Sequence, residues 1–273
     1  MATKTATKKV KIIAVAGAKG GVGKTTISTN IIPSIILSKI PNARIDYIEI
    51  DNNNRTADIL KDTETFSSTE SITVDEGMKR LQKMVFKLIT EKNDSHHHIV
   101  LDLGGGDDTH KVMKMIKDLE LTDLAELIYV VPVTASRVIG QSIMDMNQKG
   151  YFKDEKVIYM LNNIRDEKNI KDEFKIFFGD SQRNIPSIYD ELKQPTILAI
   201  PHCGLFDVVS LSELDMWEYS YFARKYTLAQ YTKVLQTDER IENEDWFVQQ
   251  VQKYTDSMVL KEYIETNLKQ VEL

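Results

Sequence analysis

Cysteine is almost missing from this sequence, and its scarcity excludes two kinds of site. The chain has 273 residues and a single cysteine, Cys203. A disulfide needs two cysteines, and a zinc or iron–sulfur site built from cysteines needs several, so neither can form within one chain. One cysteine suits a reducing compartment, and we therefore expect the protein in the cytoplasm.

Long apolar runs and an excess of positive charge are also missing. No run approaches the roughly 18 apolar residues of a membrane-spanning helix, so no transmembrane segment is expected. Residues 1–9 are polar and contain lysines but no apolar stretch, which predicts a flexible basic tail rather than a secretory signal. The formal net charge is −6. Proteins that bind nucleic acid over their whole surface are usually basic, so contact with non-specific DNA stays open only for a local patch.

Short apolar runs that alternate with helical segments indicate the fold. The runs predict buried strands, and the segments between them have the three- and four-residue spacing of helices. This alternation predicts an α/β protein with a mostly parallel, twisted sheet covered by helices on both faces. The predicted strands are Val10–Val15, Ile45–Ile50, Ile99–Leu103, Leu127–Val133, Lys156–Leu161 and Thr196–Ile200, and the predicted helices are Thr26–Lys39, Glu76–Thr90, Lys111–Leu119 and Ser136–Lys149.

The C-terminal part of the chain has a different pattern. Apolar residues recur at helical spacing from Leu214 to Leu235 and again from Phe247 to Met258, with the acidic stretch Asp238–Asp245 between them. This pattern predicts two long amphipathic helices. We therefore expect a core domain over residues 10–212 and a helical extension, residues 213–273, packed on the core or next to it. The extension is more acidic than basic, which argues against a DNA-binding face or a membrane-binding helix there.

The strongest motif is a glycine-rich segment directly after the first predicted strand. It reads Ala18-Lys19-Gly20-Gly21-Val22-Gly23-Lys24-Thr25-Thr26 and opens a predicted helix, which is the context of a phosphate-binding loop. Glycines let consecutive backbone N–H groups point at one anion, and the helix N-terminus adds partial positive charge. Lys24 is expected to reach the β- and γ-phosphates of ATP, and Thr25 to offer its hydroxyl to Mg²⁺. A glycine-rich turn with a chance lysine is the alternative.

This loop also carries a family resemblance. Ala18 stands where the strict phosphate-loop pattern has its first glycine, whereas Lys19–Thr25 match the variant K-G-G-x-G-K-[ST] in full. The chain therefore resembles, over roughly residues 10–210, the deviant Walker A P-loop ATPases, a superfamily that includes ParA partition proteins, MinD and its positioning relatives, and the nitrogenase iron protein. The resemblance implies that Lys19 reaches across an ATP-bridged homodimer, and that an activating partner protein stimulates slow hydrolysis. One cysteine per chain excludes the iron–sulfur reductases of this group.

Two aspartates at the ends of predicted strands suit a magnesium site beside the loop. Asp51 follows one strand, and Asp102 lies within another. Because parallel strands end at one edge of a sheet, both carboxylates are expected near the phosphates, where Mg²⁺ prefers oxygen ligands. By resemblance, Asp51 holds Mg²⁺ through water and orients the attacking water, and Asp102 senses the γ-phosphate. The consensus motif of the family here is D-x-D-P-Q. The corresponding residues of this chain are Glu49 to Asn53, with Glu49 in place of the first aspartate. The alternative is that both aspartates only cap turns.

Two later residues are candidates for the pocket of the nucleotide base. Asn162 follows a predicted strand and resembles the adenine-contacting asparagine of the family, although a plain turn residue is the alternative. Pro201 resembles part of the loop that closes over the base. The run His96–His98 is expected in a solvated loop, because neighbouring side chains of an extended segment point to opposite faces and do not converge on one metal ion.

The resemblance implies an ATP-dependent, dimerising switch with slow ATP hydrolysis that acts in plasmid or chromosome partition or in the positioning of cargo. The alternative is a nucleotide-gated adaptor with little hydrolysis, for example in conjugation or plasmid stability, because residues 49–53 depart from the consensus motif of the family. A P-loop protein-tyrosine kinase fits less well, since Tyr263 is the only tyrosine among the last fifteen residues. The predicted catalytic residues are Lys19, Lys24 and Asp51; the predicted nucleotide-binding residues are Ala18 to Thr26, Asp102, Asn162 and Pro201; and the predicted Mg²⁺ ligands are Thr25, Asp51 and Asp102.

Overall fold

A seven-stranded sheet forms the centre of the molecule. The computed structural model describes residues 10–52, 56–63, 65–91, 96–119, 125–193, 195–203, 229, 232–233, 244–268 and 270–273. Each strand of the sheet runs parallel to its neighbours. The strands are β1 (Lys11–Val15), β2 (Arg44–Ile50), β3 (Ser68–Ile72), β4 (His97–Leu103), β5 (Glu126–Val133), β6 (Lys156–Ile164) and β7 (Thr196–Pro201), in the order β3-β2-β4-β1-β5-β6-β7.

Helices connect the strands and continue beyond the sheet. The first helical segment comprises α1 (Lys24–Thr26), a π-helical turn (Ile27–Ile31) and α2 (Ile32–Lys39) without a break. The other helices are α3 (Thr56–Ile59), α4 (Gly77–Glu91), α5 (Asp107–Asp118), α6 (Arg137–Gln148), α7 (Ile170–Glu173), α8 (Lys175–Phe178), α9 (Ile188–Glu191) and α10 (Glu244–Tyr263), and a second π-helical turn (Ile264–Leu268) follows α10.

The helices cover both faces of the sheet, and two apolar cores result. In β1, for example, Ile12 faces one core and Ile13 faces the other. The first core includes residues of α4, α5 and α6, and the second includes residues of α2 and α10. Strands buried on both faces appear in a sequence as nearly continuous apolar runs. The prediction of an α/β fold with a parallel sheet between two helical layers is confirmed.

One strand and several short helices were absent from the sequence prediction. β3 has the sequence Ser-Thr-Glu-Ser-Ile and lies at the edge of the sheet, where only Ile72 is fully buried. An edge strand with one neighbour does not need the apolar run that identifies a central strand. The short helices α7 to α9 lie between β6 and β7, in a segment where no helix was predicted.

The prediction that His96–His98 lie in a solvated loop is wrong for two of the three histidines. His97 and His98 are the first residues of β4 and are buried, whereas His96 is exposed. His97 can be buried because its Nε2 lies 2.5 Å from Oδ2 of Asp46, a buried carboxylate in β2. Burial lowers the pKa of His98 to about 4, so this imidazole is neutral at physiological pH.

The predicted C-terminal extension is described only in part. α10 with its π-helical turn corresponds to the second predicted helix and extends it, and Tyr263 donates a hydrogen bond to the carbonyl of Ala199 in β7 over 3.0 Å. The predicted tail, most of the first predicted C-terminal helix and the boundary at residue 212 lie outside the described residues, and the division into core and extension stays a prediction. Within the described ranges, no helix combines the length and apolar character needed to cross a bilayer.

Candidate functional site

A cavity of about 230 Å³ opens at the carboxyl ends of the central strands. It brings the glycine-rich loop together with both predicted aspartates. Five of the predicted residues are not part of its lining: Ala18 and Lys19 line a second cavity, and Val22, Asn162 and Pro201 line neither of the two. The residues that line the first cavity are Gly20, Gly21, Gly23, Lys24, Thr25, Thr26, Glu49, Asp51, Asp102, Leu103, Gly104 and Gly105.

The backbone of the loop requires glycine at two positions. Gly21 and Gly23 have φ angles of 72° and 86°, in the left-handed region that residues with a side chain rarely adopt. Gly23 is also the N-cap of α1, so the loop passes directly into the helix. At the other end of the loop, the carbonyl of Ala18 accepts a hydrogen bond of 2.9 Å from the amide of Gly106. The loop is therefore fixed at both ends, and several of its residues line the cavity.

Gly23 yields a stability prediction that tests this loop geometry. A Cβ atom at Gly23 would lie 2.4 Å from Nδ2 of Asn162, whereas a Cβ atom at Gly20 would meet nothing within 4 Å. Gly23→Ala combines this overlap with a left-handed φ, so we expect the nucleotide-free protein to lose about 1–3 kcal/mol of unfolding free energy. Gly20→Ala is the matched control and should lose clearly less. Urea denaturation measures both, and equal stability of the two variants would contradict the loop conformation.

Lys24 lies inside the cavity and is buried, with 9% of its surface exposed. Its Nζ donates a hydrogen bond of 2.9 Å to the backbone carbonyl of Lys19, so the side chain folds back over the loop. Burial lowers the pKa of Lys24, and the negative charges of Asp102 and Asp51 oppose this effect. The ammonium group is thus surrounded by carboxylates and backbone dipoles, an environment that also suits a phosphate as its partner.

Asp102 is held by hydroxyl groups from two directions. Oδ2 of Asp102 accepts hydrogen bonds of 2.9 Å from Ser28 Oγ, in the π-helical turn, and from the hydroxyl of Tyr47, in β2. Burial raises the pKa of Asp102, while hydrogen bonds from Ser28, Tyr47 and Thr25 and the charge of Lys24 lower it. Burial and the charges of Asp102 and Glu49 raise the pKa of Tyr47 well above its usual value, so its hydroxyl keeps its proton and acts as a donor.

Glu49 is a third carboxylate at the cavity that the site prediction did not include. It lies opposite Asp102 in the register of β2 and β4 and is buried. Its Oε2 accepts a hydrogen bond of 3.1 Å from the amide of Ala57, at the start of α3. Burial raises the pKa of Glu49, and the backbone hydrogen bonds from Ala57 and Thr56 oppose the rise. The alternation of side chains along β2 could have identified Glu49 as a site residue, because residues two apart, such as Glu49 and Asp51, lie on the same face of a strand.

The segment after β2 is tied to two neighbouring elements. Asn52 donates a hydrogen bond of 2.9 Å from Nδ2 to Oδ2 of Asp108, in the first turn of α5. Its Oδ1 accepts a hydrogen bond of 3.0 Å from the amide of Val74, just beyond β3. The backbone closes the same region, since the amide of Gly104 donates to the carbonyl of Ile50 over 2.8 Å. The ends of β2 and β4, each with its aspartate, are therefore mechanically connected.

The two candidates for the base pocket occupy different positions. Asn162 Nδ2 donates a hydrogen bond of 3.2 Å to the carbonyl of Val22, so its described contact is with the phosphate loop. Pro201 ends β7 opposite Ile164 of β6, beyond a register irregularity of β6. Cys203, close in sequence, is buried with its Sγ 3.6 Å from the carbonyl of Asp256 in α10. A contact of Asn162 or Pro201 with adenine stays a prediction.

The oxygen donors at the cavity fit a magnesium ion that is shared with phosphates. Thr25, Asp51 and Asp102 supply one hydroxyl and two carboxylates around one cavity. Mg²⁺ prefers such hard oxygen ligands and is usually bound through one or two carboxylates together with waters and substrate phosphates. Among the described residues, no group of three histidine, cysteine, aspartate or glutamate side chains is placed to hold a metal ion by itself.

Comparison with known proteins gives a family match. Residues 13–172 match the sequence model of the CobQ/CobB/MinD/ParA nucleotide binding domain. The MinD cell division protein of Aquifex aeolicus has a similar structure, at 15% identity and a TM-score of 0.53 over 97% of this chain and 98% of that chain. This likeness shows the fold alone.

Two further solved structures are less similar. A ParA family ATPase from Chlorobium tepidum TLS is 15% identical, with a TM-score of 0.43 over 94% of this chain and 99% of that chain. A nucleotide-binding protein from Archaeoglobus fulgidus, solved with ADP, is 14% identical, with a TM-score of 0.40 over 77% of this chain and 86% of that chain. No curated protein sequence is significantly similar to the chain.

Proposed function

Because the chain belongs to the CobQ/CobB/MinD/ParA family of nucleotide-binding domains, we propose that it is an ATP-driven molecular switch. In this proposal the protein dimerises around ATP, hydrolyses it slowly and thereby controls the partition of a plasmid or chromosome, or the positioning of another cargo, in the cytoplasm. One observation carries the proposal: Lys24, Thr25, Asp51 and Asp102 meet at the mouth of one glycine-rich loop.

The loop and Lys24 would bind the phosphates of the nucleotide. The backbone amides of the loop, at the N-terminus of α1, would donate hydrogen bonds to the oxygens of the β- and γ-phosphates. Nζ of Lys24, which hydrogen-bonds to the carbonyl of Lys19 over 2.9 Å, would exchange that carbonyl for a phosphate oxygen when ATP binds. The exchange replaces a neutral acceptor by a charged one, and charge-assisted hydrogen bonds are the stronger kind.

The carboxylates and the threonine complete the site for hydrolysis. Thr25, Asp51 and Asp102 would hold Mg²⁺, which when bound neutralises the charge of the phosphate oxygens. Asp51, half-buried at the end of β2, would orient the attacking water. Asp102 would respond to the γ-phosphate through the glycines that follow it. The amide of Gly104 hydrogen-bonds to Ile50 and that of Gly106 to Ala18. A movement of these glycines when the phosphate leaves would therefore move the end of β2 and the phosphate loop together.

Lys19 is proposed to act between subunits. Its side chain is exposed, whereas Lys24 is buried, so the two lysines of the motif have different environments in the described structure. An exposed cation beside the phosphate loop can contact the nucleotide of a second copy of the chain. We further propose that a separate protein stimulates hydrolysis; DNA is a partner to be tested rather than a requirement of the proposal.

A nucleotide-gated adaptor with little hydrolysis is the second candidate. It is favoured by Asn52, which stands where the partition proteins have proline. Asn52 hydrogen-bonds to Asp108 of α5 and to the amide of Val74, and so holds the end of β2 to α5 and to the segment after β3. A segment fixed in this way rearranges less readily when the γ-phosphate leaves. Measurement of phosphate release, with and without DNA and cell extract, separates the two candidates. The switch predicts turnover that a partner protein in the extract stimulates, with or without DNA, whereas the adaptor predicts little phosphate release in any of these mixtures.

The proposal is tested by the size of the protein with different nucleotides. With ATP and Mg²⁺ we expect a dimer, and with ADP or without nucleotide a monomer, by light scattering after gel filtration. Lys19→Ala removes one charged contact to the bridging nucleotide per subunit, so we expect dimerisation to weaken roughly 10-fold or more.

The matched control is Lys114→Ala, which removes an exposed lysine of α5 that does not line the described cavities. This variant should dimerise like the original protein. A monomer under all three conditions would contradict the switch, and a Lys19→Ala variant that dimerises as tightly as the control would contradict the bridging role of Lys19.

A further inference from the structure

Tyr47 is a buried residue beside the proposed metal site to which the proposed function gives no role. It lies in β2 with no exposed surface, and its ring packs on Phe66 with the ring centroids 5.3 Å apart. Its hydroxyl group donates a hydrogen bond of 2.9 Å to Oδ2 of Asp102. An apolar phenylalanine would fill the same space, so packing does not account for the hydroxyl group.

Asp102 also receives hydrogen bonds from Thr25 and Ser28, and Ser28 has a competing acceptor. Ser28 Oγ lies 2.9 Å from Oδ2 of Asp102 and 3.0 Å from the carbonyl of Thr25. A serine hydroxyl has one proton, so it satisfies only one of these acceptors at a time. The Tyr47 hydroxyl donates its one proton to Asp102, and it is also hydrogen-bonded with Ser28. Unlike Ser28, Tyr47 has no backbone carbonyl described as a competing acceptor, so its donation to the carboxylate is the better defined of the two.

Tyr47 and Ser28 contact the same oxygen of Asp102, and this determines how the carboxylate is turned. Rotation of the carboxylate would move Oδ2 away from both hydroxyl groups and leave buried donors without their acceptor, which costs free energy. While the bonds hold, Oδ1 is the oxygen that neither Tyr47 nor Ser28 contacts, and Asp102 lines the cavity. Tyr47 and Ser28 thus fix the orientation of the carboxylate, and Oδ1 is left for other partners, of which a bound metal ion would be one.

We infer that Tyr47 is a positioning residue that turns Asp102 so that its other oxygen supports the Mg²⁺-dependent binding of a nucleoside phosphate. The inference rests on the proposed function, because it requires that Asp102 serves a bound metal ion. Hydrogen-bond partners of metal-binding carboxylates typically contribute 10- to 100-fold to metal affinity. The residue acts through Asp102 and is not expected to touch the nucleotide.

The test is the Mg²⁺ dependence of nucleotide binding in Tyr47→Phe, followed with a fluorescent ADP analogue. The substitution keeps the ring and its contact with Phe66 and removes only the hydroxyl group. With the metal chelated, we expect the affinity to stay within about 2-fold of the original protein. The Mg²⁺ concentration that gives half of the metal-dependent gain in affinity should rise about 10- to 100-fold.

Phe66→Leu is the matched control, since it changes the packing around the Tyr47 ring and retains the hydroxyl group. Its Mg²⁺ titration should coincide with that of the original protein. Coincident titrations for Tyr47→Phe and the original protein would overturn the inference while leaving the proposed function intact. An equal loss of affinity with and without Mg²⁺ would show a merely structural role and would also overturn it. If the original protein binds no nucleotide, or gains nothing from Mg²⁺, the proposed function itself fails.

Discussion

Lys24→Met is expected to lower kcat/KM for ATP hydrolysis by at least about 100-fold, the usual scale for removal of one preorganised charged donor. Methionine retains most of the length of the side chain but has no charge. The Nζ atom of Lys24 lies 3.6 Å from the place where a Cβ atom of Gly105 would be, so the ammonium group lies beside a lining residue of the segment that follows Asp102. The positive charge of Lys24 stabilises the transition state, in which negative charge develops on the transferred phosphate. The substitution should therefore lower kcat as well as the affinity for ATP.

The measurement is steady-state phosphate release together with nucleotide binding. Lys39→Met is the matched control, because Lys39 is partly buried and, like Lys24, has a pKa lowered by burial. It ends α2 near Lys11, Lys156 and Glu272, away from the residues that line the cavity. The control should keep its activity. Hydrolysis that survives in Lys24→Met at the level of the control would show that the loop does not bind the terminal phosphates as proposed.

The central strands could be predicted from the sequence because burial on both faces makes each of them an apolar run. β2 was predicted as Ile45–Ile50 and is observed as Arg44–Ile50, and β5 was predicted as Leu127–Val133 and is observed as Glu126–Val133. The polar first residues, Arg44 and Glu126, belong to the strands only through their pairing with neighbours. That pairing is a property of the sheet and has no local signal.

The edge strand β3 and the buried histidines show where local patterns fail. Thr69 and Glu70 form part of a strand because they pair with Tyr47 and Ile48 of β2, although their own side chains are polar. His97 was expected in solvent because its buried partner, Asp46, is distant in the sequence and becomes a neighbour only when β2 pairs with β4. In both cases a long-range contact reverses what composition suggests.

The site was predictable where its chemistry is local and not where it depends on register. The loop from Ala18 to Thr26 has its glycines and lysines within one segment, and the two aspartates follow the rule that ligands bind at the carboxyl ends of parallel strands. The roles of Tyr47 and Glu49 emerge only from the register that sets Glu49 opposite Asp102. A single sequence contains the two-residue period of β2, but it does not say which strand lies beside it.

Asp46→Ala is expected to destabilise the protein by about 3–5 kcal/mol, the scale observed when one partner of a buried ion pair is removed. Asp46 and His97 have no exposed side-chain surface. Oδ1 of Asp46 also accepts a hydrogen bond of 2.6 Å from Ser68 Oγ, in β3, and Arg44 Nε lies 3.4 Å from Oδ2. The substitution thus leaves three polar groups, from β2, β3 and β4, without their common acceptor.

The pH dependence of stability gives this prediction a second measurement. Burial alone would raise the pKa of Asp46, but hydrogen bonds from His97 and Ser68, with the charges of His97 and Arg44, lower it below its usual value. A carboxylate with a lowered pKa in the folded state stabilises the protein above its unfolded pKa and loses that contribution as the pH falls through the folded pKa. The difference in unfolding free energy between the original protein and Asp46→Ala should therefore be full near about pH 7 and should shrink below about pH 4.

Urea denaturation of the nucleotide-free protein measures both effects, and a surface ion pair supplies the control. Asp172 lies 3.3 Å from Lys175 with 74% of its side chain exposed, and such pairs contribute about 0–1 kcal/mol. Asp172→Ala should therefore change the unfolding free energy little at any pH. If Asp46→Ala were as stable as this control near neutral pH, the buried cluster would not join β2 to β3 and β4, because a carboxylate that holds His97, Ser68 and Arg44 together cannot be removed without cost.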